Sequence, residues 1–387
     1  MLPGWPDDDE KDADRDRQWT ALVLAALVAN NAATSTARDR FVIATSLLNG
    51  GATGQVFLFR KAADSCDLTQ THQINTGRNP YDLIVSPDSE QVYIALDGDS
   101  AIAPFRIDAS AEQLVSLGTV AQAGPSANPV PYGMSIHPDG RFLYAADGAN
   151  PGAVAAFNRD TASGTLTAQS PTAYLTAGAN MWYATLSRSG NFLYVSNFNG
   201  FGDAGNDSVY GYSVNQSTGA LTLLGSSPFA TQNRPWYIGR HLSQDWLYVS
   251  NHGTGSISMF QINTSTGALT GIGGGTIAAA GNPIGLAVGQ RFLFAADNGG
   301  GNIYGYTIDQ STGALTANGT TNPGAPVPYG LALDTDERCL YVARTDESGA
   351  TSNDVVSVYD VSTTGALSFR ANLTAGLGPR FLAIVRR

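Results

Sequence analysis

A segment of about fifty residues recurs seven times along this chain, and a repeat of that length restricts the fold more than any other feature of the sequence. Its clearest copy spans 191–222. A β run, Phe192, Leu193, Tyr194, Val195, Ser196, Asn197, gives way to a Gly/Asp/Asn loop and a second run, Ser208–Val214. A turn at Ser217, Thr218, Gly219 then releases Ala220, Leu221, Thr222. Aromatic and β-branched residues bounded by Gly, Asn and Asp clusters read as strands, and no helical period competes with them. With Val42, Tyr93, Tyr144, Tyr194, Tyr248, Phe294 and Tyr341 taken as equivalent, the steps are 51, 51, 50, 54, 46 and 47 residues. Several strands within such a period are the signature of a β-propeller blade.

Each repeat also has a leading strand, at 80–86, 131–137, 181–187, 235–241, 283–289, 328–334 and 379–385, which again counts seven. The first of these follows the first Tyr194-type strand, and the last stands at the C-terminus. The arrangement expected is therefore an all-β, seven-bladed propeller over 41–387, in which 381–385 joins blade 1 as its innermost strand. A ring sealed by its own ends leaves no open blade. Pro104 interrupts the third strand of blade 2, where its missing N–H predicts a bulge.

Charged residues make up only 14% of the 387, the net charge is −11, and Lys11 and Lys61 are the sole lysines. Neutralising phosphates needs a basic stripe, so no nucleic-acid partner is expected. Residues 1–40 form an N-terminal extension outside the repeat, with a charge run at 7–17 and an apolar stretch at 19–28. That stretch is too short for a membrane span, which takes about 20 residues. Small residues at 32–37 follow it as they follow a signal-peptide core, although the preceding region is acidic where a basic one is usual. A secreted or periplasmic monomer is expected, with a cytoplasmic protein as the alternative. Cys66 reads as an outer-turn residue of blade 1 and Cys339 as the start of an inner strand of blade 7. Bridged Cα atoms lie within about 7 Å, so pairing of these two is not expected. Nothing in the sequence calls for a cofactor or a metal: paired-histidine, dinucleotide and P-loop motifs are all missing.

The uniform Thr-Gly-Ala-Leu turns at Thr218, Thr266, Thr312 and Thr364 lie on one face, and the variable loops, including 197–208 and 344–354, lie on the other. Loops that vary on a repeated frame are where binding groups are placed, so the site is expected at the channel mouth on the variable face. The residue after the start of each leading strand reads Tyr81, Tyr132, Trp182, Trp236, Ile284, Tyr329, Arg380; the next reads Asp82, Gly133, Tyr183, Tyr237, Gly285, Gly330, Phe381. Such aromatics either wedge between blades or line a pocket that stacks on a flat ligand or sugar face. Tyr132, Trp182, Tyr183, Trp236, Tyr237 and Tyr329 are the candidate contacts, with His252 and Arg344 following the Tyr194-type strands. Arg380 and Arg234 are candidates to clamp a carboxylate or hold an oxyanion, and Asp82 to orient water. The alternative for Asp82 is an ion pair with Arg380 that holds the ring seal. Asp97, Asp99, Asp147, Asp203, Asp207 and Asp297 read as turn formers on the same face.

The blade text Leu193, Tyr194, Val195, Ser196, Asn197, the aromatic strand 209–214 and the turn Thr218, Gly219, Ala220, Leu221 resemble the seven-bladed lactonase family of 6-phosphogluconolactonase and carboxymuconate-lactonising type. The likeness covers roughly 41–387. It implies a cofactor-free lactone hydrolase acting on a small sugar-like or carboxylated lactone, with histidine, arginines and an acid about the mouth. Here the first column holds no histidine; Tyr132, Trp182 and Trp236 stand where one is expected. The blades are similar too to those of exported propellers that bind a glycan or a protein without catalysis, which is the alternative function.

Overall fold

The computed structural model describes residues 39–46, 53–121, 129–149, 152–175, 180–198, 207–279, 281–345, 355–376 and 378–386. Residues 1–38 of the N-terminal extension, 199–206 with Asp203, and 346–354 lie outside the described residues, whereas Asp39 and Arg40 belong to the first strand of blade 1. Seven antiparallel sheets follow one another as blades. Blade 5 shows the plan: Pro235–Arg240 innermost, then Trp246–Asn251, Ser256–Ile262 and Leu269–Ala278. Closure occurs as the repeat predicted. In blade 1 the strand Asp39–Ser46 pairs on one side with Thr53–Lys61 and on the other with the C-terminal Pro379–Arg386. The register there sets Phe41 against Val385, Val42 against Ile384 and Ala44 against Leu382.

The second strand of each blade is the core of the molecule. Gln91–Leu96, Phe142–Asp147, Phe192–Asn197, Trp246–Asn251 and Phe292–Asp297 are buried at every position. Blades packed on both faces require this, because a strand with neighbours above and below has no solvent side. The tyrosine that marks the repeat joins consecutive blades. Tyr93, Tyr144, Tyr194 and Tyr248 donate their hydroxyls to the carbonyls of Gly164, Gly219, Gly267 and Gly313 in the outer turn of the next blade, at 2.7–2.9 Å. At Gly219 the backbone takes φ +74°, and a Cβ would press on the Phe142 ring, so both conformation and space demand glycine there.

This tie corrects the cysteine expectation. Each outer turn tucks against the second strand of the preceding blade, and Cys66 occupies the turn position in blade 1: Tyr341 donates to its carbonyl at 3.4 Å. That places Cys66 beside the start of Cys339–Thr345, and the two cysteines form a disulfide with Cα atoms 5.4 Å apart. Pro104 also acts differently from expectation. The strand Ala101–Asp108 runs unbroken past it, paired in register with Gln91–Leu96. What breaks is the outer partner, split into Gln113–Ser116 and Val120–Ala121, because a proline offers that strand no N–H.

Candidate functional site at the channel mouth

The innermost strands begin at the mouth, each with a bulge close to its start, as at Pro80/Leu83, Met181/Ala184 and Pro235/Ile238. The bulge turns the residue after the strand start toward the axis. Six of the seven first-column residues, Tyr81, Tyr132, Trp182, Trp236, Tyr329 and Arg380, accordingly line one cavity of about 520 Å³. Its rim adds Asp97, His252, Asn282, Asn298 and Gly299.

The rings pack mainly on each other. Tyr132 stacks on Trp182 with centroids 4.4 Å apart, and Trp182 meets Trp236 at 4.0 Å. Phe198 closes against both tryptophans. Arg380 lies over the rings of Tyr81 and Tyr329, 5.5 and 4.9 Å from their centroids, and donates to the Tyr329 hydroxyl at 3.3 Å. A guanidinium held between two aromatic faces stays charged while its position is fixed. Burial raises the Asp97 carboxyl above its ordinary range, and the charge of Arg380 opposes that rise. His252 stacks near Trp236 at 5.0 Å; burial, then the charge of Arg234, hold its imidazole below its usual range, and hence neutral. Among the described residues, the Trp182 Nε1 and His252 Nδ1 atoms are buried without a hydrogen-bond partner.

The other expected residues sit off the cavity lining. Asp82 is 2% exposed and accepts a hydrogen bond from the Met134 N–H at 2.9 Å and another from the Leu83 N–H. Burial pushes it up to about 7. The alternative of an Asp82 and Arg380 ion pair is thereby corrected: the carboxylate is engaged by the backbone of its own and the next blade. Tyr183 and Tyr237 pack ring on ring at 3.9 Å, joined by a hydroxyl–hydroxyl bond of 2.9 Å. Burial and the charge of Asp82 push both phenols up. Gly133 leaves the space that the Tyr183 ring fills. Arg234, in the left-handed region at φ +57°, sits behind the rim over Phe198 and near His252 and Asp207.

Arg344 is 3% exposed and donates to the carbonyls of Pro323, Gly324 and Pro326 and to the Ser357 hydroxyl. It occupies the same register position as Asp147, Asn197, Asn251 and Asp297, of which the two aspartates accept backbone N–H groups of the adjoining loops. His252 belongs to the next position, shared with Asp97, Phe198 and Asn298. Aligning that column would have found Asp97 and Asn298, which the sequence reading had passed over as turn formers or left out.

The family described as Lactonase, 7-bladed beta-propeller matches residues 52–183 and 176–284. Among solved structures, a candidate 6-phosphogluconolactonase from Bacteroides uniformis aligns with a TM-score of 0.76 at 18% identity, covering 90% of this chain and 100% of its own. One from Bacteroides fragilis gives 0.75 at 18%, with 91% and 99% covered. The periplasmic gluconolactonase of Pseudomonas aeruginosa gives 0.75 at 18%, with 89% and 99% covered. No curated protein matches the chain. At such identities the structural likeness establishes the fold, and the family match establishes the lineage: this chain belongs to the seven-bladed β-propeller lactonases.

Proposed function

We propose that the chain hydrolyses a small sugar-like or carboxylated lactone in the cavity at the channel mouth. The observation that carries this reading is the convergence of six first-column residues on one cavity with the Arg380 guanidinium fixed inside it. A water oxygen adds to the lactone carbonyl carbon, and the carbonyl π pair moves onto oxygen, where Arg380 offsets the developing charge. Asp97, the carboxylate on the lining, takes the water-orienting role expected of Asp82 and accepts the water proton. Collapse of the adduct breaks the ring C–O bond; the ring oxygen takes up that proton and leaves as a hydroxyl, giving a hydroxy acid.

Arg380→Ala is expected to lower kcat/KM for lactone opening by about 100-fold or more, the usual loss when an oxyanion partner is removed. Acid release from a panel of lactones measures it, and undiminished turnover in the variant would end this assignment. The aromatic lining also suits a sugar ligand that is held and not turned over. Retention on a glycan array without acid release from any lactone would favour that second reading.

A further inference from the structure

Resting on the lactonase reading and narrowing its two substrate classes to the sugar-like one, we infer that the cavity selects an uncharged, unphosphorylated polyhydroxy lactone and discriminates against a phosphorylated or carboxylated substrate. The basis is the placement of charge about the mouth. A phosphate dianion brought into a partly buried site needs cations that are not already neutralised, since the anion loses its hydration there and only such cations compensate the loss. Every arginine at this mouth is already matched. Arg78 pairs with Asp99 at 2.6 Å on the outer rim. Arg234 donates its backbone N–H to Asp207, whose carboxylate also feels its charge. Arg344 is spent on backbone carbonyls.

Among the described residues, Arg380 alone reaches the lining as a cation, and Asp97 shares that lining with it. His252, the remaining titratable nitrogen there, is neutral. The charges on the described walls therefore cancel. The internal segments outside the described residues add no cation: 47–52, 122–128, 150–151, 176–179, 199–206, 280, 346–354 and 377 contain neither Lys nor Arg, but do contain Asp203, Asp346, Glu347 and Asp354. What remains on the walls is tyrosine and tryptophan edges, the Asn282 and Asn298 side chains and one compensated guanidinium, a set that recognises hydroxyls and a carbonyl.

The test compares kcat/KM for glucono-δ-lactone and its 6-phosphate in the full chain. The unphosphorylated compound is expected to win by about tenfold or more, the scale of one uncompensated charge. Asp97→Asn, which removes the compensating acid, is expected to move that ratio toward the phosphate even as overall turnover falls. A wild-type preference for the phosphorylated lactone overturns the inference while leaving the lactonase reading intact. If neither compound is opened, the lactonase reading fails by itself. Calorimetric binding of gluconolactam and its 6-phosphate then decides the charge selection: tighter binding of the lactam supports it, whereas tighter binding of the phosphate, or binding of neither, overturns it.

Discussion

Asp82 has an acid range of 3.8 in an exposed chain and about 7 in the folded one, because burial between blades outweighs its two backbone donors. The folded state thus binds this proton more tightly. The stabilisation is complete below about pH 4 and is lost as pH rises through about 7. Asp82→Asn keeps an acceptor for the Met134 N–H and removes the charge, so its thermal stability is expected to change less than that of the wild type between about pH 5 and 8, and to exceed it at the upper end. Melts across that range check it; identical slopes in the two proteins would show that Asp82 stays ionised in the fold. A second residue-level expectation concerns Arg234, a non-glycine at φ +57°, where the left-handed backbone suits asparagine better. Its charge is one of the two causes that hold His252 down. Arg234→Asn is therefore expected to raise the His252 titration midpoint in an NMR pH series without loss of stability. A midpoint that does not move would place the guanidinium too far from the imidazole to matter.

At the level of the strand and the turn, the repeat tyrosine gives the interblade tie its energy. Tyr248→Phe removes the donor to Gly313 and leaves that carbonyl buried, a loss of about 1–3 kcal/mol by denaturant titration. A change below a few tenths would mean that ring packing alone sustains the tie. Blade 6 carries Phe294 at this position, and the turn it faces in blade 7 is closed differently: Gly365 donates to Ser362, three residues back, where Gly313 donates to Asp309, four back. The shorter turn and the missing hydroxyl occur together. The tyrosine period was plain in the sequence; the partner of its hydroxyl was not, since that lies in the next blade and no spacing along one repeat reveals it. The same distinction separates the site residues. The first column could be read because one bulged strand start recurs with the period. Arg344 was read one position out of register, because an arginine at a loop edge looks solvent-facing until the carbonyls that surround it are known. Asp82, two residues past a proline, gave no sign that the next blade would cover it.

The whole ring depends on the junction of blades 7 and 1, because blade 1 alone is assembled from two separate parts of the chain. Three kinds of tie cross that junction. Pro379–Arg386 supplies the innermost strand of blade 1 and carries Arg380 to the mouth. A buried ion pair joins Lys61 to Asp334 at 3.7 Å, and Thr335 donates to Asp39 at 2.7 Å. The disulfide spans 273 residues of sequence, nearly the whole ring. Constraining so long a loop in the unfolded chain is worth about 2–4 kcal/mol, so Cys66→Ser with Cys339→Ser is expected to melt several degrees lower yet cooperatively, with lactone turnover retained at 25 °C. Removal of residues 379–387 is a different matter. It strips the ladder from Asp39–Ser46, uncovers the edge of blade 1 and takes the cation from the cavity, so loss of the cooperative transition is expected, along with lost turnover. Calorimetry of the two variants separates a covalent reinforcement from the strand that makes the ring a ring. If the truncated chain melted as sharply as the disulfide-free one, the sheets would be holding together blade by blade, and the C-terminal strand would serve to deliver Arg380 and nothing more.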